Sequence, residues 1–127
     1  MTVEEILRGE SKDLEFKEKL PEDSKKYMKT IVAFSNGDGG RLIIGVNDDR
    51  EIVGVDQTDV FTMIDKITNA IIDSCEPLII PDIAPQAVGD KTVIVVEISA
   101  GRQRPYYLKA LGMDKGPFTR TAGSTSL

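Results

Sequence analysis

Residues 42–46 form an uninterrupted apolar run, Leu-Ile-Ile-Gly-Val, and residues 92–98 form a second run rich in valine and isoleucine. A short run that is apolar at every position predicts a strand buried on both faces, because a strand with one solvent-exposed face would have alternating apolar and polar residues. The β-branched residues of the second run make it the clearest strand in the chain. Two such strands predict a sheet at the centre of the fold.

Apolar residues recur at helical spacing on either side of the run at residues 42–46. Residues 27–35 predict a helix that ends near Asn36, and Asp23 or Ser24 can cap its start. A longer helix is predicted over residues 60–75, which carry one apolar stripe. The other predicted elements are a short N-terminal helix with Val3, Ile6 and Leu7 on one face, ending near Gly9, and strands at residues 13–17, 52–55, 84–88, 105–108 and 118–120.

The order of these elements fits a single α+β (mixed α/β) domain spanning residues 1–127. We expect a central, largely antiparallel or mixed sheet packed with the two longer helices and the short N-terminal helix. Residues 42–46 and 52–55 are expected to form a hairpin. The length suffices for one domain and is too short for two of ordinary size.

The composition excludes several classes of protein. Apolar residues make up 40% and charged residues 29%, as in soluble globular domains. No apolar run approaches the roughly 18–20 residues of a transmembrane helix, and no secretion signal is evident, so we expect a cytoplasmic protein without membrane contact. The absence of histidine excludes Ser-His-Asp and Cys-His catalysis. The single cysteine, Cys75, cannot form an internal disulfide and is expected to be a buried, inert thiol within the helix predicted over residues 60–75.

Charge is distributed unevenly along the chain. The net charge is −5, whereas residues 101–127 carry five basic residues against one acidic residue and residues 1–100 carry −9. An acidic body with a basic end can bind a polyanion through one face. The alternative is that the remainder of a longer protein covers the basic end.

Six segments keep a characteristic order and spacing. They are residues 9–17 (GESKDLEFK), 33–36 with 39–40 (AFSN and GG), 42–48 (LIIGVND), 52–55 (IVGV), 104–107 (RPYY) and 118–124 (FTRTAGS). In this order they resemble the Schlafen Alba-like family over nearly the whole chain. The resemblance implies a DNA-binding domain of a transcriptional regulator, of a group also described as divergent AAA-type ATPases. It further implies a longer protein, in which a C-terminal ATPase-like or winged-helix region would be a partner of this module.

The resemblance implies that Glu10, Glu15 and Asp48 are candidate catalytic and metal-binding residues. In animal Schlafens an acidic trio at such positions cleaves structured RNA, and clustered carboxylates suit Mg²⁺ or Mn²⁺. Asn47 stands where many relatives have aspartate, and Asp48 follows it. Side chains five residues apart on a straight strand face opposite ways, so the trio needs a bend near Ser11. The alternative is that Glu15 pairs with a basic neighbour and Glu10 orders a loop.

Basic and aromatic residues interleave towards the C-terminal end, and lysines cluster around the first predicted strand. Such a surface can pair with phosphates and stack on unpaired bases. Tyr106 and Tyr107 point to opposite faces of a strand, so at most one is expected to be exposed. The alternative for each lysine is an ordinary solvated charge. The candidate nucleic-acid-binding residues are Lys12, Lys17, Lys19, Arg102, Arg104, Tyr106, Lys109 and Arg120.

Residues 36–40 (NGDGG) form a loop whose glycines could bring backbone amides close to a phosphate. The loop follows a helix instead of opening one, and it lacks the lysine and hydroxyl of a Walker A loop. A helix stop is therefore favoured, and ATP binding of the P-loop type is not expected.

Three functions remain open from the sequence. The leading hypothesis is a non-catalytic module of a transcriptional regulator that binds nucleic acid, either DNA or RNA, without a cofactor. The second is a ribonuclease that uses Glu10, Glu15 and Asp48 with a divalent metal. The third is a protein interaction or oligomerisation module, in which the chain would self-associate as a homo-oligomer.

Overall fold

The computed structural model describes residue 8, residues 11–121 and residues 124–126. The helices are α1 (Lys25–Asn36), α2 (Val60–Ser74) and the short α3 (Gly112–Lys115). The strands are β1 (Leu14–Lys17), β2 (Gly40–Ile44), β3 (Cys75–Glu76), β4 (Asp82–Val88), β5 (Lys91–Ile98), β6 (Tyr107–Leu108), β7 (Thr119–Thr121) and β8 (Ser124–Ser126). In this part of the chain, no helix has the length and apolar character needed to cross a membrane. The short N-terminal helix, predicted to end near Gly9, lies outside the described residues except for residue 8, which is in a turn.

Four strands form the central sheet in the order β1-β2-β5-β4. β1 pairs with β2 in parallel, and β5 pairs antiparallel with both β2 and β4. The predicted α+β class with a mixed sheet is confirmed. At one end of the sheet Arg41 lies opposite Leu14 and Glu97, and at the other end Ile44 lies opposite Lys17. These ends are called the Arg41 end and the Lys17 end.

Strand β2 is buried on both faces, as its apolar run predicts. Leu42 and Ile44 belong to the main core, which the two longer helices cover. Ile43 points to the other face and packs with Phe16 and Val93 in a smaller second cluster. Leu42, Ile43 and Ile44 all have 0% exposure, so β2 contributes to both cores.

Residues 52–55 do not form the predicted return strand. Within the described residues this segment makes one isolated bridge, at Ile52, and then crosses to β5, where the Val55 amide donates to the Thr92 carbonyl at 2.8 Å. The crossing takes place at Gly54, directly before Val55, and its φ of 72° is a conformation that glycine adopts readily. Gly45, which has a φ of 116°, accepts the amide hydrogens of Val53 and Gly54 at its carbonyl oxygen and so holds the start of the crossing.

Cys75 follows α2 as the first residue of β3, and its 2% exposure places it in the main core. Burial raises the pKa of its thiol to about 12. Because the thiolate is the reactive form, we expect iodoacetamide to leave the folded protein unmodified in mildly alkaline solution and to label it once urea unfolds it. Mass spectrometry measures the difference. Labelling of the native chain at the rate of a free thiol would contradict the burial of this residue.

Candidate nucleic-acid interface

Three loops meet at the Arg41 end of the sheet. A turn at residues 11–13 precedes β1, a loop at residues 37–39 joins α1 to β2, and a long loop at residues 99–106 follows β5. The strand register places the attachment points of these loops on adjacent strands. Segments that are far apart in the sequence therefore share one surface.

The turn before β1 reverses the chain direction. The Ser11 amide donates to the Leu14 carbonyl at 2.9 Å, and the Leu14 amide donates to the Ser11 carbonyl at 3.4 Å. The chain thus bends near Ser11, as the acidic trio requires. At the tip of the turn, Lys12 Nζ donates to Asp38 Oδ2 at 2.8 Å. This hydrogen bond raises the pKa of Lys12 and lowers the pKa of Asp38, so the pair connects two of the three loops.

The glycine-rich loop ends α1 and uses its own amides to do so. The amides of Gly37 and Gly39 both donate to the Phe34 carbonyl of α1. Gly39 has a φ of 88°, and a Cβ atom on it would lie 2.6 Å from the Ile98 carbonyl oxygen. Because these amides are engaged by the helix, the loop is a helix stop, as its position in the sequence favours.

Asn36, the last residue of α1, holds the loop after β5 in place. Its Nδ2 donates to the carbonyl oxygens of Tyr106 at 2.9 Å and Phe118 at 3.0 Å, and its Oδ1 accepts from the Tyr106 amide at 2.7 Å. Its backbone oxygen accepts from Arg104 Nη1 at 3.4 Å. One side chain thus fixes the helix, the loop and the segment before β7 relative to one another.

The loop after β5 presents two arginines to solvent. Arg102 is exposed, and so is Arg104, whose Nε donates to the Gly101 carbonyl oxygen at 3.1 Å. The pKa of Asp38 is held down first by Lys12 and further by the charge of Arg104. Lys12, Arg102 and Arg104 were all predicted to contact nucleic acid, and the fold brings them to one end of the sheet.

A polar cleft of about 530 Å³ lies beside these residues. Arg8 and Arg41 line it together with Asp13, Asp38 and Glu97, and Arg41 Nε donates to Glu97 Oε2 at 3.1 Å. The sequence did not indicate Arg8 or Arg41, because each is an isolated cation among acidic and apolar neighbours. We define the basic surface as Arg8, Lys12, Arg41, Arg102 and Arg104.

Tyr106 and Arg120 lie beneath this surface. Tyr106 is 5% exposed, and its hydroxyl accepts from the Gln103 amide at 3.2 Å. Arg120 is 8% exposed; its Nη1 donates to Glu15 Oε2 at 2.5 Å and its Nη2 to the Ser11 carbonyl at 2.7 Å. A buried ring cannot stack on a base, and a buried guanidinium cannot reach a phosphate. The prediction of nucleic-acid contact is corrected for these two residues.

The remaining predicted lysines are dispersed. Lys17 ends β1 and is half-buried, while Lys19 is exposed just beyond it, so both lie at the Lys17 end of the sheet. Lys109 is exposed after β6, where its amide donates to the Ser74 carbonyl at the end of α2. Lys17 and Lys19 are therefore at the opposite end of the sheet from Lys12.

The described members of the acidic trio lie apart. Glu15 is opposite Leu42 in the register and is paired with Arg120, whereas Asp48 is exposed in the turn beyond β2, at the Lys17 end. Among the described residues, no three acidic or cysteine side chains are grouped so that they could hold a metal ion. Glu10 lies outside these residues, so the complete trio stays a prediction. Glu15 and Asp48 by themselves do not fit a Mg²⁺ or Mn²⁺ site.

Together, the mixed four-stranded sheet and its helical cover define a small α+β module with a group of charged loops at one end of the sheet. Residues 10–127 match the family model described as Schlafen, AlbA_2. The chain belongs to this family, and the resemblance of its six segments is confirmed.

Two solved structures have a similar fold. One is the solution structure of the N-terminal domain of a RecG-related protein from Nitrosomonas europaea, named for an ATP-dependent DNA helicase; it is 26% identical with a TM-score of 0.70, over 100% of this chain and 92% of that one. The other is the crystal structure of a protein from Corynebacterium diphtheriae, 20% identical with a TM-score of 0.64. That match covers 91% of this chain and 22% of the other, and it shows the fold alone.

Proposed function

We propose that this chain is a nucleic-acid-binding module that contacts phosphates through the basic surface, and that it serves as the DNA-binding part of a transcriptional regulator. The observation that carries the proposal is the meeting of five cations at one end of the sheet, in a chain with a net charge of −5: Arg8, Lys12 of the turn before β1, Arg41 of β2, and Arg102 and Arg104 of the loop after β5. Phosphate contacts supply half or more of the hydrogen bonds in protein–DNA interfaces, and arginine and lysine make many of them. A local excess of positive charge can attract a polyanion even when the whole chain is acidic.

The comparisons support the proposal. The N-terminal domain from Nitrosomonas europaea belongs to a protein named for a DNA helicase, a class that acts on DNA. We further propose, as the family resemblance implies, that the module is one part of a longer protein. A C-terminal region of that longer protein would then supply the regulatory activity.

The ion pairs of the basic surface determine how strong the binding can be. Lys12 pairs with Asp38, and Arg41 pairs with Glu97, and all four side chains are at least 40% exposed. Exposed pairs stabilise a fold little, so a phosphate can replace the carboxylate at low cost. We therefore expect modest affinity that falls steeply with salt, because each phosphate contact contributes about −0.9 to the slope of log K against log salt.

Changes in charge at the basic surface are expected to alter affinity in both directions. Asp38→Asn removes a competing carboxylate from Lys12, so it should tighten binding. The double variant Lys12→Ala/Arg102→Ala loses two phosphate contacts, so it should weaken binding about tenfold or more and reduce the salt slope by roughly 2. Fluorescence anisotropy with labelled duplex DNA, single-stranded DNA and structured RNA over a salt series measures both effects.

Lys91→Ala is the matched control for these variants. Lys91 is exposed and begins β5, whereas the loop that carries Arg102 follows the end of that eight-residue strand. A strand of this length spans roughly 25 Å, more than twice the screening distance of about 10 Å at moderate salt, so this variant should bind almost as the parent does. Equal losses of affinity in Lys91→Ala and in the Lys12→Ala/Arg102→Ala variant would contradict the location of the site. Failure to bind any of the three nucleic acids at low salt would contradict the function.

A metal-dependent ribonuclease is the second candidate, and the bend between Ser11 and Leu14 is the observation that favours it. Glu15→Ala is a poor test, because it leaves the buried Arg120 without its carboxylate partner. Asp48→Asn alters an exposed residue and should leave stability unchanged. Cleavage of structured RNA that needs Mn²⁺ and disappears in Asp48→Asn would favour the nuclease. An intact RNA after incubation of the parent chain with Mn²⁺ would argue against it.

A further inference from the structure

A second cleft, of about 960 Å³, lies at the Lys17 end of the sheet. Its walls are the segment at residues 18–22 that follows β1, the segment at residues 54–56 that crosses to β5, and one face of α2 between Thr62 and Ala70. This cleft is at the opposite end of the sheet from the basic surface, and the proposed function does not use it.

The floor of this cleft is apolar. Leu20, Val55, Met63 and Ala70 line the cleft, and each is half-buried and packs against the main core. Tyr27, which is 2% exposed, also contributes to the lining. The floor is therefore an uncovered flank of the core, and Met63 can adapt its shape to an incoming side chain. Concave apolar floors with a few polar groups around them are typical of binding sites.

The rim of the cleft is mainly acidic. Four exposed acids stand against two exposed lysines: Glu18, Glu22, Asp56 and Asp59 against Lys19 and Lys66. This balance favours a cationic ligand and disfavours the phosphates of a nucleic acid.

The start of α1 does not reverse this preference. A helix N-terminus attracts anions, but Asp23 Oδ1 already accepts from the Lys25 amide at 3.0 Å. Before α2, Asp56 Oδ1 accepts from the Thr58 amide at 2.9 Å, at the start of the 3₁₀ turn at Gln57–Asp59. A phosphate at either amide would have to displace a carboxylate of the chain and would meet the acidic rim.

We propose that this cleft binds a short segment of a partner protein in which an apolar side chain is flanked by lysine or arginine. The apolar side chain occupies the floor, and the basic side chains pair with the acidic rim. Because the cleft and the basic surface are at opposite ends of the sheet, the partner segment and a nucleic acid can be bound at the same time. The proposal stands whether or not the basic surface binds nucleic acid.

The test uses three labelled peptides of equal length with the intact chain. In the first, leucines alternate with lysines; in the second, glutamates replace the lysines; in the third, serines replace the leucines. We expect the first peptide to bind about tenfold or more tightly than the other two, a difference of about 1.4 kcal/mol. In ¹H–¹⁵N spectra it should shift the amide signals of Thr62, Lys66 and Asn69, which line the cleft.

Charge reversals on the rim test the location of the site. Glu22→Lys is expected to weaken binding of the leucine–lysine peptide severalfold, and Lys66→Glu is expected to strengthen it. Asp65→Lys is the matched control, because Asp65 is an exposed acid of α2 that does not line the cleft. Equal losses in Glu22→Lys and Asp65→Lys would overturn the proposal by revealing non-specific charge attraction. Absence of binding, or amide shifts confined to the Arg41 end, would overturn it as well.

Discussion

Replacing Arg120 with methionine is expected to lower the free energy of unfolding by about 3–5 kcal/mol, because the change breaks a buried ion pair by removing one partner. The Arg120 side chain is 3% exposed and that of Glu15 is 13% exposed. Without the guanidinium, the Glu15 carboxylate stays buried and unpaired, and the carbonyl oxygens of Ser11 and Leu14 each lose one of their donors. The variant should unfold at a much lower urea concentration, measured by circular dichroism because the chain has no tryptophan.

Two further variants distinguish the ion pair from a general effect of losing charge. Arg102→Met makes the same change on an exposed side chain, so it should alter the free energy of unfolding by no more than about 0.5 kcal/mol. The double variant Glu15→Gln/Arg120→Met should recover part of the loss, because no unpaired charge is left buried. A cost below about 1 kcal/mol for Arg120→Met would mean that the pair does not hold β7 to the turn before β1.

Replacing Asn36 with aspartate is the second change with a large expected effect, a loss of roughly 2–5 kcal/mol in the free energy of unfolding. The Nδ2 group donates to the carbonyl oxygens of Tyr106 and Phe118. A carboxylate in its place donates nothing and repels both oxygens. Protonation of the introduced carboxyl group restores one donor, so the loss should be smaller in mildly acidic than in neutral solution. Urea unfolding at two pH values measures this difference.

Asn69→Asp is the matched control for that prediction. Asn69 is exposed on α2, so the same substitution there should change stability by no more than about 0.5 kcal/mol at either pH. If Asn36→Asp proved equally harmless, the loop after β5 would not depend on its hydrogen bonds to the end of α1. Weaker nucleic-acid binding by a folded Asn36→Asp variant is also expected, because Arg102 and Arg104 lie on the loop that Asn36 holds.

The regular elements were predictable where one physical signal dominated locally. The apolar run at residues 42–46 implied a strand buried on both faces, and β2 is one. The helical spacing around residues 27–35 and 60–75 identified α1 and α2. The return strand predicted at residues 52–55 was wrong beyond the single bridge at Ile52, because Gly54 takes a positive φ and the chain crosses to β5 at Val55. A glycine in a sequence shows that such a turn is allowed, but not that it occurs.

The candidate site was predictable in composition but not in arrangement. Arg102 and Arg104 were selected as cations interleaved with aromatic residues and Lys12 as part of a lysine cluster around the first strand, and the fold brings all three to one end of the sheet. Tyr106 was selected by the same pattern, yet its backbone bonds to Asn36 draw it into the core. Whether a tyrosine or an arginine is exposed depends on what packs over it, and that neighbour is often distant in the sequence.

The sequence by itself determined the class of the fold, the strand with two buried faces, the two long helices, the exclusion of histidine and disulfide chemistry, and the family to which the chain belongs. These follow from local periodicity, composition and ordered motifs. Only the tertiary structure decided that Arg120 is a buried partner of Glu15, that Arg41 belongs to the basic surface, and that an acidic cleft lies at the far end of the sheet. The physical reason is that strand register and side-chain packing join residues up to about a hundred positions apart, such as the pair between positions 15 and 120, and no local pattern specifies those contacts.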